Sequence, residues 1–103
     1  MNRRDFELVR ALRALAHPLR LRIMGHLAES PGTLACDFAD VFDVRQPTVS
    51  QHLKVLRDAR LVETRRHGNQ ISYSVEPETL ATLTELLEEL SRAPAAQGAE
   101  RGV

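Results

Sequence analysis

The spacing of apolar residues changes from a helical period to a strand period and back along this chain, and that order limits the fold. Up to residue 56 apolar positions recur every three or four residues, as on one face of a helix. From Leu61 to Val75 the period is two, interrupted by the polar segment 67–70. This interval predicts a two-stranded hairpin with a polar tip. Helical spacing returns at Pro77.

The helical part of the pattern predicts about five helices. Pro18, Pro47 and Pro77 each stand where a helix is expected to begin, since a first turn leaves its amide hydrogens unbonded and proline lacks one. Asp43 is the predicted turn residue before the fourth helix, because aspartate tolerates a left-handed backbone better than most residues. The helices are predicted over residues 5–16, 18–28, 34–42, 46 onward, and 77–92.

The two periods together predict a mainly α fold with a small β-hairpin, in one domain covering residues 1–92. At 103 residues the chain hides only roughly 60 to 68% of its unfolded surface, so support from a second subunit is plausible. The segment 93–103 has no apolar periodicity and is predicted to be disordered.

Several protein classes are excluded by the residues that the chain lacks. Cys36 is the single cysteine, so an intrachain disulfide is impossible, as is a zinc framework built on four cysteines or on two cysteines and two histidines. No apolar run approaches the roughly 18 residues of a membrane span, and the amino terminus lacks the apolar region of a signal peptide. We therefore expect a cytoplasmic protein without a membrane partner. No nucleophile with a base, no paired catalytic acids and no phosphate loop indicates an enzyme.

The formal net charge of zero conceals alternating bands of charge. Fourteen basic residues balance fourteen acidic ones over the whole chain. Residues 1–23 carry six arginines against two acids, a net charge of +4, and residues 44–75 carry six basic residues against two acids, also +4. Residues 24–43 and 76–92 each have a net charge of −4. The second positive band covers the fourth helix and the hairpin.

A short helix, a tight turn, a polar helix and an arginine-bearing hairpin follow one another in the order of a winged helix-turn-helix. A helix fits the major groove of DNA, where glutamine pairs with adenine and hydroxyl groups contact bases or phosphates. A basic hairpin tip lies along phosphates or in the minor groove. The candidate DNA contacts on the helix are Arg45, Gln46, Thr48, Ser50, Gln51, His52 and Lys54, and those on the hairpin are Arg65, Arg66, His67, Asn69 and Gln70. For His52 a structural hydrogen bond is an equal alternative.

Two stretches of the chain resemble the ArsR/SmtB family of bacterial transcriptional regulators. They are LRALAHPLRLRIMGHL at residues 12–27 and QPTVSQHLKVLRDARLVETRRHGNQISYSV at residues 46–75. The resemblance implies a homodimer, packed through the first and last helices, that represses from an inverted repeat in a promoter until an effector weakens its binding. The interface residues implied are Phe6, Val9, Leu12, Leu80, Leu83, Leu87 and Leu90.

The chain departs from the family pattern at two helix starts. His17 stands where the family usually has aspartate before the proline, and histidine is the poorer N-cap. Arg45 stands where the family often has serine, which gives up a capping oxygen and places a cation at a helix start. Arg45 in the place of serine is expected to favour phosphate binding.

The metal sites of the family's metal-sensing members do not carry over to this chain. Leu34 occupies the place of the first cysteine of their Cys-x-Cys pattern, and the last helix contains no histidine. Cys36 is expected to pack as a small buried side chain, although with Asp40 it offers two ligands at a spacing of four. A nickel or zinc ion at a nonstandard site, including one that uses His17, stays an alternative effector.

Three interpretations of the function of this chain differ in protein class or in binding partner. The chain is either a repressor with a small effector, a regulator that needs a protein partner or activates, or a winged-helix module that binds protein. A protein-binding face would expose more apolar or aromatic anchors than Thr48, Gln51 and Lys54 provide. The sequence therefore favours double-stranded DNA as the partner.

Overall fold

The computed structural model describes residues 1–94, so most of the predicted disordered tail lies outside the described residues. It contains five α-helices and a three-stranded antiparallel sheet, which confirms the mainly α fold with a small hairpin. In the described part no helix is long and apolar enough to cross a membrane. The elements are α1 Arg3–Leu15, α2 Pro18–Glu29, β1 Thr33–Leu34, a 3-10 turn Ala35–Asp37, α3 Phe38–Phe42, α4 Gln46–Asp58, β2 Val62–His67, β3 Gln70–Val75 and α5 Pro77–Ser91.

The core forms where α1, α2 and α4 pack together beside the sheet. Phe38 at its centre is fully buried, and the rings of His26, Phe42 and Tyr73 lie 5.9 to 6.3 Å from it. Burial of these apolar side chains stabilises the fold, because each fully buried large one contributes about 1.5 to 3 kcal/mol. The other large side chains that are fully buried are Ile23, Leu27, Val49, Leu53, Leu56 and Leu61.

The residues of α1 that the family resemblance implies for a dimer interface face away from this core. Phe6 is 60% exposed, and Val9 and Leu12 are exposed as well. The face that packs inward carries Leu8, Ala11 and Ala14 instead, all of them buried. The two alanines allow α1 to approach its neighbours closely, with Leu8 filling the space beside them.

The leucine stripe of α5 divides between the core and the surface. Leu83 is only 6% exposed and belongs to the core of its own protomer, so its predicted place in a dimer interface is corrected. Leu80 packs against the same core, whereas Leu87 and Leu90 are exposed. Helix α1 packs against α5, so the exposed apolar residues of both helices lie on neighbouring elements. We call this set, Phe6, Val9, Leu12, Leu87 and Leu90, the apolar face.

The segment predicted as the third helix begins differently in the structure. Leu34 lies in the short strand β1, whose residues Thr33 and Leu34 pair with Tyr73 and Ser72 of β3. The helical spacing of Leu34 and Phe38 is therefore a coincidence of a strand followed by a helix, and α3 itself is a short helix beginning at Phe38. Asp43 has a φ of 53°, which confirms it as the left-handed turn residue before α4.

The predicted two-stranded hairpin is present, and its polar tip lies within residues 67–70. His67 pairs with Gln70, so Gly68 and Asn69 form the two-residue turn, and Gly68 has a φ of 64° that favours glycine. The strand order β1-β3-β2 places β2 at an edge of the sheet, so the tip of the β2–β3 hairpin projects from the domain. We call residues 62–75 the wing. Its inward face carries Val62, Ile71, Tyr73 and Val75.

Candidate nucleic-acid interface

Helix α4 presents a polar face to solvent because its apolar side is buried. Val49, Leu53 and Leu56 are at most 2% exposed, as their spacing predicts. The period of the helix then turns Thr48, Ser50 and Gln51 outward, all of which are exposed. These three side chains carry the hydrogen-bonding groups near the start of the helix. We call them the reading residues.

Arg45 stands at the N-cap of α4 in an extended conformation, with a φ of −72° and a ψ of 145°. Its side chain makes no capping hydrogen bond, so the capping role that serine would fill is missing, as the sequence predicts. The exposed guanidinium adds a positive charge beside the positive end of the helix dipole. Both effects favour an anion at this end of α4.

Two other predicted contacts on α4 have partners within the protein. Gln46 Nε2 donates to the carbonyl oxygen of Ala35 at 3.4 Å, across the turn to the preceding segment. Lys54 Nζ donates to Asp58 Oδ2 at 3.0 Å, and this hydrogen bond lowers the pKa of the Asp58 carboxyl. Both side chains are exposed, so these weak contacts leave them available to a ligand.

His52 lies one helical turn after Thr48, on the flank of α4 between its exposed polar side and its buried side. It is half-buried and turned toward the start of α2, where its Nδ1 lies 3.3 Å from Arg20 Nη1. Its ring lies 4.5 Å from the ring of His17. Of the two roles predicted for His52, the structure therefore supports the hydrogen bond within the fold, and we remove the residue from the proposed DNA contacts.

The wing exposes all five predicted contact residues, but on two faces. Strand alternation puts Arg65 and His67 on the outward face and Arg66 on the opposite one. His67 Nε2 lies 3.1 Å from Ser72 Oγ, which donates to the carbonyl oxygen of Arg65. Since Ser72 is buried and has one hydroxyl hydrogen, it accepts from His67, and this bond holds the imidazole against the strand.

The wing tip and the start of α4 lie side by side. Gln46, Asn69 and Gln70 line one surface cavity of about 260 Å³, together with Cys36. A second cavity of about 340 Å³ on the outward face of the wing is lined by Arg65, His67 and Ser72. The structure thus places one helix with polar side chains and one basic hairpin on adjoining surfaces, as a duplex groove and its flanking phosphates require.

Cys36 is exposed, so the expectation that it packs as a small core residue is wrong. The 3-10 turn keeps its side chain at the surface, where the thiol donates to Asp37 Oδ1 at 3.8 Å. Within residues 1–94 no three histidine, cysteine or carboxylate side chains come together in a way that would hold a metal ion.

Arg20 and strand β1 had no recognisable signal in the sequence. Arg20 belongs to the positive band of residues 1–23 but to no motif there, and its partners are Ala14, six residues earlier, and His52, 32 residues later. Strand β1 has only two residues, too few for a visible period of two. Both features depend on contacts between distant parts of the chain.

Comparison with known proteins places this arrangement among DNA-binding regulators. A family model described as a helix-turn-helix domain matches residues 15–65. The biofilm growth-associated repressor of Agrobacterium fabrum is 39% identical over 94 residues, which are 91% of this chain and 80% of that protein. The arsenical resistance operon repressor of Staphylococcus xylosus is 41% identical over 83 residues, which are 80% of this chain and 78% of that protein.

A solved structure shares the fold. The homodimeric winged helix-turn-helix DNA-binding domain of a possible ArsR-family regulator from Mycobacterium bovis superposes with a TM-score of 0.70 and 27% sequence identity. The match covers 88% of this chain and 87% of that one. These relatives are similar in sequence over most of their length, and the solved domain has the same architecture.

Proposed function

The chain belongs to the ArsR/SmtB family of transcriptional repressors, and from this premise we propose that it acts as a homodimer on an inverted repeat in a promoter. The observation that carries the proposal is that Gln46, at the start of α4, lines one cavity with Asn69 and Gln70 of the wing tip, while the reading residues and the wing arginines are exposed. The reading residues contact base edges in the major groove, and the wing contacts phosphates or the minor groove.

The apolar face supports the dimer. Its five side chains lie on the two packed helices α1 and α5 and are exposed in the protomer. Large apolar side chains gathered on neighbouring elements mark an interaction site in a soluble protein. The similar domain from Mycobacterium bovis is homodimeric. A twofold axis at this face relates two α4 helices, which then meet successive major grooves about 34 Å apart.

An effector that weakens DNA binding completes the proposed function, because the similar protein of Staphylococcus xylosus represses an arsenical resistance operon. Cys36 is the single thiol of this chain, so a pair of thiolates on one protomer is not the sensor. A nickel or zinc effector requires ligands from a second subunit, since no set of three ligands occurs within residues 1–94.

We expect the purified protein to bind a duplex of its own upstream promoter with an affinity that falls steeply with salt. Phosphate contacts release counterions, and six to ten contacts reduce affinity by roughly 10³ to 10⁵ between about 50 and 200 mM salt. Fluorescence anisotropy on the promoter and on a scrambled duplex of equal length measures the salt dependence of binding and the preference for the promoter sequence. Failure to prefer the promoter at any salt concentration would overturn autoregulation.

The same titration identifies the effector class. Adding Ni(II) or Zn(II), each with and without a chelator, tests the metal alternative, because a metal effector weakens promoter binding and the chelator restores it. Unchanged binding with every ion counts against that alternative and favours an organic effector. A requirement for cell extract from the source organism would instead support the partner-dependent regulator.

Replacing Arg45 with serine is expected to weaken promoter binding while it stabilises the fold. Loss of one phosphate contact in each protomer lowers the salt slope by about 2 for a dimer. The new serine caps α4 and raises the free energy of unfolding by about 1 kcal/mol. Anisotropy at two salt concentrations and urea unfolding measure the two effects. Unchanged affinity at both salt concentrations would show that Arg45 does not contact phosphate.

A further inference from the structure

One arginine joins the end of α1 to the recognition helix α4. Arg20 lies in the first turn of α2, and its Nε donates to the carbonyl oxygen of Ala14 at 2.6 Å, near the end of α1. Its Nη1 lies 3.3 Å from Nδ1 of His52, on α4. Arg20 is half-buried, so both contacts are partly shielded from water. A single planar guanidinium thus spans three helices.

The hydrogen-bond chemistry of this junction defines the protonation state of His52. Arginine has only donors, so His52 Nδ1 must accept, and the ring is neutral with its hydrogen on Nε2. In the adjacent cap of α2, the backbone N–H of Leu19 donates to Nδ1 of His17 at 3.1 Å. A proton on Nδ1 of His52 would replace the acceptor by a donor and set a cation against the guanidinium.

The junction connects the two functional surfaces of the protein. Ala14 belongs to α1, whose outer side carries part of the apolar face, and His52 directly follows Gln51 of the reading residues. The spacing of two α4 helices on DNA depends on how each is oriented relative to the dimer axis. A loosened α4 therefore misplaces base contacts in both half-sites at once.

We propose that Arg20 is a positioning residue for operator binding, which holds α4 against the end of α1 through neutral His52, and that protonation of His52 releases this hold. The inference rests on the proposed function, since it concerns the affinity for the same promoter. It adds a proton as a regulating ligand, bound where α4 meets the first turn of α2.

The charges around His52 give the direction of the effect. The pKa of His52 is lowered from its ordinary value of 6.5. The largest cause is burial, followed by electrostatic interaction with His17 and then with Arg20. His17 and Arg20 face it from α2 and its cap, and among the described residues no carboxylate from α1, α3, α4 or the sheet acts on that pKa. The hold is therefore intact at neutral pH and is lost as the pH falls below 6.5 through the lowered pKa. Stability follows the same sign, because between these two values the unfolded chain binds more protons.

The test is a pH series of promoter affinity at constant ionic strength, by fluorescence anisotropy, from about pH 8 down to the lowest pH at which circular dichroism shows the protein still folded. We expect the affinity of the natural protein to fall about tenfold over this range, as loss of a charge-assisted hydrogen bond implies. Protonation of histidines that face phosphate would instead tighten promoter binding as the pH falls. The predicted loss of affinity in acid is therefore opposite to the effect of phosphate contacts.

Two variants separate positioning from general stability. His52→Asn keeps an acceptor near the place of Nδ1 but does not titrate, so we expect tight binding at about pH 7.5 and little further loss in acid. Arg20→Lys keeps the charge, but one ammonium group replaces the guanidinium nitrogens that contact Ala14 and His52. We expect about tenfold weaker promoter binding at the same pH. His67→Asn removes an imidazole of the wing whose protonation would tighten binding, so the fall in affinity towards acid should persist in this variant and be no smaller than in the natural protein.

The outcomes are distinguishable. No preference for the promoter at about pH 7.5 refutes the proposed function itself. Promoter binding that does not change with pH, or that falls equally in natural protein and His52→Asn, overturns the role of His52. If Arg20→Lys does not fold by circular dichroism, His52→Asn alone still decides, because it leaves the guanidinium and its bond to Ala14 in place.

Discussion

Replacing both Leu87 and Leu90 with glutamate is expected to convert the protein to a monomer and to remove tight promoter binding. The two leucines are 53% and 63% exposed in the protomer, and a symmetric dimer buries four of them. Loss of this burial costs about 3 to 6 kcal/mol, which is roughly 10² to 10⁴ in the dimer dissociation constant. Buried carboxylates add a desolvation penalty.

Sedimentation velocity and promoter anisotropy on the same samples measure this prediction. Leu21→Glu is the matched control, because Leu21 is 55% exposed on α2, outside the apolar face. We expect it to leave the dimer unchanged. A double variant that still sediments as a dimer would place the interface elsewhere, and a monomer that binds the promoter with natural affinity would refute the need for two α4 helices.

Gln51→Ala is expected to reduce the preference for the promoter more than any single substitution in the wing. Gln51 is exposed near the start of α4, where a side chain reaches base edges. A bidentate contact to a base is worth about 1 to 3 kcal/mol, and a dimer makes it twice. The expected loss is about 2 to 6 kcal/mol, or roughly 30-fold to 10⁴-fold in promoter affinity.

Gln70→Ala is the control for Gln51→Ala, because Gln70 lies at the wing tip. There we expect a small and equal loss on promoter and scrambled duplex, because phosphate contacts position the protein without reading sequence. Anisotropy on both duplexes gives the ratio of affinities for each variant. An unchanged ratio for Gln51→Ala would remove Gln51 from the base-reading set.

The elements that carry the DNA-binding face were predictable because their signals are local. The burial of Val49, Leu53 and Leu56 follows from helical period alone, and it decides which residues of α4 point outward. The two-residue turn at Gly68 follows from two runs of period two and a residue that tolerates a positive φ. Neither inference needs a contact with a distant part of the chain.

The errors occurred where two local interpretations compete or where a distant contact decides. Leu34 has the spacing of a helix with Phe38, but pairing with β3 makes it a strand residue. Cys36 is apolar enough for a core, but the turn that follows β1 leaves it at the surface. Leu83 and Leu87 occupy equivalent positions on one stripe, and only the packing of α5 buries the first and exposes the second.

The sequence by itself determined the order of helices and strands, the location of the wing and the polar composition of the reading residues, because hydrophobic period and turn chemistry act over a few residues. The tertiary structure decided which apolar residues of α1 enter the core and that His52 contacts Arg20, 32 residues earlier in the chain. Those outcomes depend on which surfaces meet when helices pack, and an apolar or polar residue type does not specify its partner.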